Sequence, residues 1–382
     1  MTKLLHLLKL DKILLGLFIA INVIFVYKYG SRQNFINYNI IILGYLSLLL
    51  VITYFYKKEF FKLSNKAINA IFVSISFITI LLYVGINIAI DKNTLNVDRW
   101  AALEISIEAI TKGIYPYTRV DFAGNMSSNF PALAYIALPF YLIGDVGFLQ
   151  VFSFIVFSTF LFRYTKKKEV ALYILLLFVS SPAILWEVFA KSDLHSNLIL
   201  VSAFIIWWQN KTNNNPFTKP VILGIIIAFL LLTRGVLVIP LTIFLFKPFV
   251  FEPLSNQLKF IFSFAISIII ICIPTALTAP DIDTIINYNP LVLQTNKTLS
   301  VLYIFLFLPF ILSFTIKGLS SLFGYSGLIV LAITTITFIY TIFISGFSAT
   351  IHEHLYDISY LSMAIPFILM HIALKSYIIK GK

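Results

Sequence analysis

The sequence predicts an all-α protein that crosses a membrane about twelve times. Sixty per cent of its 382 residues are hydrophobic and only 12% charged, giving a mean hydropathy of +0.96, well outside the balance of a soluble domain. Apolar runs of roughly 20 residues, the length needed to cross hydrocarbon, recur along the whole chain. Short stretches rich in Lys and Arg separate them, so the net charge of +12 reads as loop orientation in a bilayer and not as nucleic-acid binding.

The cores of the runs, in order, are 13–29, 38–56, 67–90, 146–163, 169–186, 194–209, 219–233, 235–249, 258–276, 299–316, 322–345 and 356–376. Lys3, Lys9 and Lys12 stand ahead of the first, which has no small-residue cleavage site behind it and reads as a retained span. Lys57, Lys58, Lys62 and Lys66 come after the second run; Arg163, Lys166, Lys167 and Lys168 after the fourth; Lys375, Lys380 and Lys382 after the last. The charge rule places all of these, and both termini, on the cytoplasmic side. The remaining apolar stretch, 132–143, is then a short helix at the membrane surface, because a crossing there would carry 166–168 outside. The outer loops become 91–145, 187–193, 277–298 and 346–355, and they collect most of the acids. No repeat or low-complexity linker divides the chain, so a single transmembrane domain over 1–382 is expected. The lone cysteine, Cys272, lies in an apolar run and excludes an intrachain disulfide or a thiolate metal centre.

Loop 91–145 is the long polar interruption, and loops of that length in compact structures carry function or are disordered. This one is patterned. Trp100, Leu103, Ile107 and Ile110 fall on one helical face and Glu104, Glu108 and Lys112 on another, which predicts an amphipathic helix at the interface, its apolar face on the bilayer or on protein and its acids solvated. Asp98 stands at its start and Gly113 just past its end, as cap residues would.

The order of motifs along this loop carries a family resemblance. Asp98, then Gly113-Ile-Tyr-Pro-Tyr117, then Phe130-Pro131-Ala-Leu opening a hydrophobic helix that ends near Gly144, resembles the first periplasmic loop of C-type (GT-C) glycosyltransferases. The branch it is most similar to is the polyprenyl-phosphate-dependent mannosyltransferases. Two departures stand out: the second proline of the helix start is missing, and two extra spans precede the loop. The resemblance implies an inverting transferase of a bacterial-type inner membrane. It would move a sugar, mannose among the candidates, from a polyprenyl-phosphate donor to a glycan, lipid or protein acceptor of the envelope. Loop 91–145 would be its outer catalytic loop, membrane lipids its surroundings, and no cofactor is implied. Asp98 matches the loop acid taken as general base, since displacement at an anomeric carbon needs a carboxylate to accept the acceptor's proton. The plainer reading of Asp98, a helix cap, is compatible with that role.

Other polar residues at the outer ends of spans are candidates for substrate binding. Tyr115 and Tyr117 either stack on a sugar or anchor the loop among headgroups. Ser181-Pro182, Glu187 and Lys191-Ser-Asp193 resemble the second outer loop of the same superfamily, where Glu187 or Asp193 would face the cavity; pairing of Lys191 with either acid is the alternative. Arg234 interrupts an apolar run, and a charge at a helix centre costs about 2.5–3.5 kcal/mol. It either reaches the interface or grips the donor phosphate with its two-pronged guanidinium. Asp281 and Asp283 have a spacing seen in metal and sugar-phosphate binding, with a solvated loop as the alternative. His352-Glu-His354 could supply zinc ligands but lacks a second cluster, so substrate hydrogen bonding is the better role for both histidines. A lipid-linked oligosaccharide polymerase or ligase, and a flippase or other secondary transporter, are the rival functions. The former relies on arginine-rich outer loops and the latter on paired broken helices.

Overall fold

The computed structural model describes residues 2–58, 62–295, 299–353 and 355–375. The helices in order are α1 (Thr2–Gly30), α2 (Tyr38–Lys58), α3 (Asn65–Ala89), α4 (Arg99–Thr111), α5 (Pro131–Leu142), α6 (Phe148–Tyr164), α7 (Lys168–Val179), α8 (Pro182–Phe189), α9 (Leu194–Lys211) and α10 (Pro220–Leu231). They continue as α11 (Val238–Phe251), α12 (Leu254–Ala276), α13 (Ile282–Asn287), α14 (Pro290–Thr295), α15 (Leu308–Thr315), α16 (Leu319–Ser345), α17 (Phe347–His352), α18 (Ser359–Ser362) and α19 (Ile365–Leu374). Among the described residues the only β pairing is one isolated bridge, Val120 to Met126.

Among the described residues five helical stretches are long and apolar enough to cross a membrane: Leu10–Gly30, Tyr38–Lys58, Asn65–Ala89, Leu254–Ala276 and Leu319–Ser345. A sixth results if α7 and α8 count as one span. Several of the other apolar runs fold as shorter helices of 10–17 residues, including Pro131–Leu142, Phe148–Tyr164 and Pro220–Leu231. A 12-residue helix such as α5 rises only about 18 Å, short of the roughly 30 Å of a hydrocarbon core. Proline explains several of the interruptions, because it lacks the N–H that continues a helix: Pro182, Pro220 and Pro366 all lie at helix starts.

The contacts divide the chain into two compact units. The first comprises Met1–Gly85, Phe154–Val188 and Ile316–Lys382. Here α1 packs on α2 and α19, α2 on α7, and α16 on α19. The run expected as one span over 169–186 is broken, α7 and α8 meeting at 56°. Buried Asn22 of α1 sits at the break: its side-chain oxygen accepts from Ser181 Oγ at 2.6 Å and from the Ala183 N–H at 3.1 Å. At the other end of α1, Asp11 accepts from His371 Nε2 at 2.8 Å and pairs with Lys375, tying α1 to α19.

The second unit comprises Ile86–Ser153 and Phe189–Thr315. Helix α10 packs along α12, α11 along α15, and α4 against α5. The helix expected over 98–112 forms as α4, with its apolar face on protein and one of its acids buried as well. Helix α4 buries Trp100, Leu103 and Ile107 against Leu133, Ala134 and Ala137 of α5, and it also buries Glu104 on the face expected to be solvated. Lys92 supplies the reason, donating to both oxygens of Glu104 at 2.5 and 2.7 Å. Burial nonetheless pushes the Glu104 carboxyl above its ordinary range, with the Lys92 bond opposing it. Glu108 remains partly exposed, within reach of Lys112 and the Tyr141 hydroxyl.

Candidate functional site

Asp98 occupies the N-cap position of α4, as its place in the sequence predicts, but its side chain makes no capping hydrogen bond. Only its backbone carbonyl takes part, accepting from the Ala102 N–H at 2.9 Å. The carboxylate instead accepts from Asn125 Nδ2 at 3.0 Å. A small turn delivers that amide: Asp121 Oδ1 accepts from the N–H groups of Ala123 and Asn125 at 2.8 and 2.9 Å, and Val120 bridges Met126. The Phe122 ring stacks on Trp100 of α4, 5.9 Å between centroids, which fixes the turn over the helix start. Helix α4 ends as expected. Gly113 takes a left-handed conformation at φ +65°, the Ile114 N–H donates back to Ala109 O at 2.8 Å, and the Gly113 N–H donates to Ile110 O at 3.3 Å.

From the turn the loop runs through buried polar anchors. Ser127 Oγ lies 2.7 Å from Ser106 Oγ on α4, and Ser128 O accepts from Gln294 at 2.6 Å. The Ala132 N–H at the start of α5 donates to Leu232 O at 3.1 Å, next to a cluster of Phe130, Ala132 and Leu232. Tyr115 and Tyr117 are buried within this unit, so neither anchors the loop among headgroups. Their rings meet edge to face at 5.3 Å, and the Tyr115 hydroxyl donates to Tyr288 O at 2.7 Å. Loop 91–145 is therefore stitched to 288–294 and to the end of α10. Gly235 makes the closure feasible, since a Cβ there would stand 3.2 Å from Gln294 Oε1.

Beside that closure lies a buried ion pair. Arg234 Nε donates to Asp193 Oδ2 at 2.9 Å, and Nη2 donates to Oδ1 and Oδ2 at 2.6 and 2.7 Å. Asn197 Nδ2 adds a bond to Asp193 Oδ2 at 2.8 Å. Asp193 is 1% exposed. Arg234 therefore does not reach for the interface, and the fork expected to grip phosphate is already occupied by a carboxylate. Lys191 pairs with neither Glu187 nor Asp193. Its ammonium pairs with Asp145, at the far end of the outer loop, and donates to Asn87 O at 3.1 Å. Lys191 holds a left-handed backbone at φ +50°, which costs a residue with a Cβ about 1–3 kcal/mol and persists only where the surroundings fix it.

Glu187 and His352 belong to the first unit. Glu187 is buried on α8, where its charge acts on Tyr29. His352 packs its ring 5.7 Å from Tyr27. His354 lies outside the described residues. Two cations that sequence reasoning passed over, Lys28 and Arg32, stand at the end of α1 close to these groups. Their only sequence signal is a lysine at the last turn of a membrane-length apolar run. Asp281 spends its carboxylate on the N-terminus of α13, accepting from the Thr284 N–H at 2.7 Å, and this bond holds its carboxyl below the usual range. Among the described residues no three His, Cys, Asp or Glu side chains converge as metal ligands would. Comparison of the chain with family models, curated proteins and solved structures finds no match.

Proposed function

We propose that this protein is a membrane glycosyltransferase of the GT-C type. It transfers a sugar, with mannose the first candidate, from a polyprenyl-phosphate donor to an envelope glycan, lipid or protein acceptor. One observation carries the reading: Asp98 stands at a helix start with its carboxylate unused for capping and held by a single amide, in a loop anchored through Ser127, Ser128 and Tyr115. A carboxylate so placed is held in position with lone pairs left to accept a proton, as a general base needs. In one displacement the acceptor oxygen bonds to the anomeric carbon, the bond from that carbon to the phosphate oxygen breaks, and polyprenyl phosphate leaves with the electron pair. The acceptor's proton passes to Asp98, and the anomeric centre inverts. Asp193, bound by Arg234 and Asn197, is framework in this scheme and shapes the floor of the outer loop. The shorter apolar helices complete about twelve crossings of an inner membrane, with both termini cytoplasmic.

The broken pair α7 and α8 favours a second reading, a transporter, because such proteins build their sites at interrupted helices. Reconstituted protein supplied with a synthetic polyprenyl-phosphate sugar and an envelope extract separates the two. The enzyme releases polyprenyl phosphate and yields an acceptor glycoside of inverted configuration. Movement of the lipid-linked sugar between leaflets with no bond broken would replace the transferase by the transporter.

A further inference from the structure

We propose that the acceptor is a sugar and that Phe122 seats its ring beside the Asp98 carboxylate. Phe122 lies in the polar loop between α4 and α5, and its side chain is 56% exposed. The ring is nevertheless held. Residues 121–125 form a closed turn in which the Asp121 N–H donates to Asn125 O at 2.9 Å and the Gly124 N–H donates to Asp121 O at 3.0 Å, while the Asp121 carboxylate takes the N–H groups of Ala123 and Asn125. Gly124 makes that turn possible with a left-handed φ of +77°. Trp100 fixes the ring itself, stacked on it at an interplanar angle of 24°. The Trp100 ring is in turn buried in the cluster between α4 and α5, with the Lys92 ammonium 5.6 Å from its centroid. An exposed aromatic ring held by a second ring and by a hydrogen-bonded turn is preorganised to bind, because little side-chain freedom is left to lose.

The polar groups near the ring define what it binds. Trp100 lies two residues beyond Asp98, and Asn125, three residues beyond Phe122, donates to Asp98 Oδ2. The turn therefore brings an aromatic ring, an exposed amide and a partly exposed carboxylate to the start of one helix. A hexose matches that set. Its C–H face carries partial positive charge and suits the negative face of the ring, while its hydroxyls bond to planar amide and carboxylate groups. Val120 and Met126 flank the turn and are exposed as well, at 54% and 38%, so an apolar knuckle dipped into the bilayer is the competing role. Asp98 argues against it. Immersing this turn carries a carboxylate toward hydrocarbon, which is costly for an ion, whereas a sugar leaves it hydrogen-bonded. Under the transferase reading, on which the identity of this sugar as acceptor rests, a hydroxyl presented to Asp98 is the one that loses its proton. The seat selects a glycan, over a lipid or a protein, as the acceptor.

Saturation-transfer NMR on the purified full chain in nanodiscs tests the seat without transfer, with the methyl glycosides of mannose, glucose, galactose and N-acetylglucosamine as probes. At least one is expected to bind at about millimolar affinity and to receive saturation through the C–H groups of one ring face. Phe122→Ala should weaken that binding about tenfold or more, and Phe122→Trp should keep it. Phe122→Leu, which keeps apolar bulk without a π face, should fall with alanine. Should Phe122→Ala fail to fold, leucine against tryptophan carries the comparison. Asp98→Asn is expected to bind the glycoside while losing transfer, so loss of the base and loss of the seat are read independently. Glycoside binding that depends on Phe122, in a wild type that transfers nothing, keeps the seat but strikes the transferase reading and with it the sugar's role as acceptor. Binding absent from the wild type with all four probes, or unchanged in both Phe122→Ala and Phe122→Leu, overturns the proposal and leaves the turn as an apolar contact with the bilayer.

Discussion

Two carboxylates of the second unit are treated in opposite ways. Asp193 receives three hydrogen bonds from Arg234 and one to the same carboxylate from Asn197, whereas Asp98 receives one from Asn125. Removing one member of a buried pair strands the other, so Asp193→Ala should cost about 3–5 kcal/mol, seen as a lower unfolding temperature in detergent. The double variant Asp193→Leu with Arg234→Met should recover most of that loss, because both charges leave together. A double variant no more stable than Asp193→Ala would mean the pair does not act as a unit. Asn125→Ala should leave stability within about 0.5 kcal/mol, as for an exposed side chain, yet slow transfer by loosening Asp98. The sequence made Asp98 and Arg234 legible as candidates, one by helix spacing and the other as a charge in an apolar run. Their partners were not legible. Asn125 lies 27 residues beyond Asp98, and Arg234 lies 41 beyond Asp193, distances over which no local pattern operates.

At the scale of elements, the sequence described ends better than faces. The stop of α4 at Gly113 and the start of α5 at Pro131 come from local backbone chemistry, and both form where expected. Gly113→Ala, which puts a Cβ on a left-handed residue, should cost about 1–2 kcal/mol and raise hydrogen exchange in the last turn of α4. The faces of α4 depend on what packs against it, and α5 and Lys92 together bury a side that spacing alone assigns to water. Glu104 offers a test with a definite sign. Its folded carboxyl is raised by burial, so the folded state holds its proton to higher pH than the unfolded chain does. Stability is therefore greatest below the ordinary glutamate range and falls as pH rises from there through the raised value. Glu104→Gln should flatten that part of the unfolding profile. An identical slope in wild type and variant would place the titration in another group. Breaks inside apolar runs escape periodicity for a related reason: hydropathy averages over Ser181-Pro182, while the bend there depends on Asn22 from a distant helix.

For the whole molecule, composition was enough to establish an all-helical chain with membrane-length helices, but not the number of crossings, because several runs fold as helices shorter than a bilayer. Orientation is testable directly. In a Cys272→Ala background, Asn125→Cys should react with an impermeant reagent from outside and Lys166→Cys should be protected until the membrane is opened. Equal outside labelling of both would overturn the sidedness on which the proposed role of loop 91–145 depends. The account as a whole stands on Asp98 as the base in sugar transfer. The most direct test is single-turnover transfer from labelled polyprenyl-phosphate mannose in proteoliposomes, comparing wild type with Asp98→Asn, whose amide keeps the shape but cannot take a proton. The account predicts that the variant folds, binds donor as the wild type does, and transfers about 100-fold or more slowly. Transfer by Asp98→Asn within about twofold of the wild-type rate would contradict it and leave Asp98 as no more than the residue that opens α4.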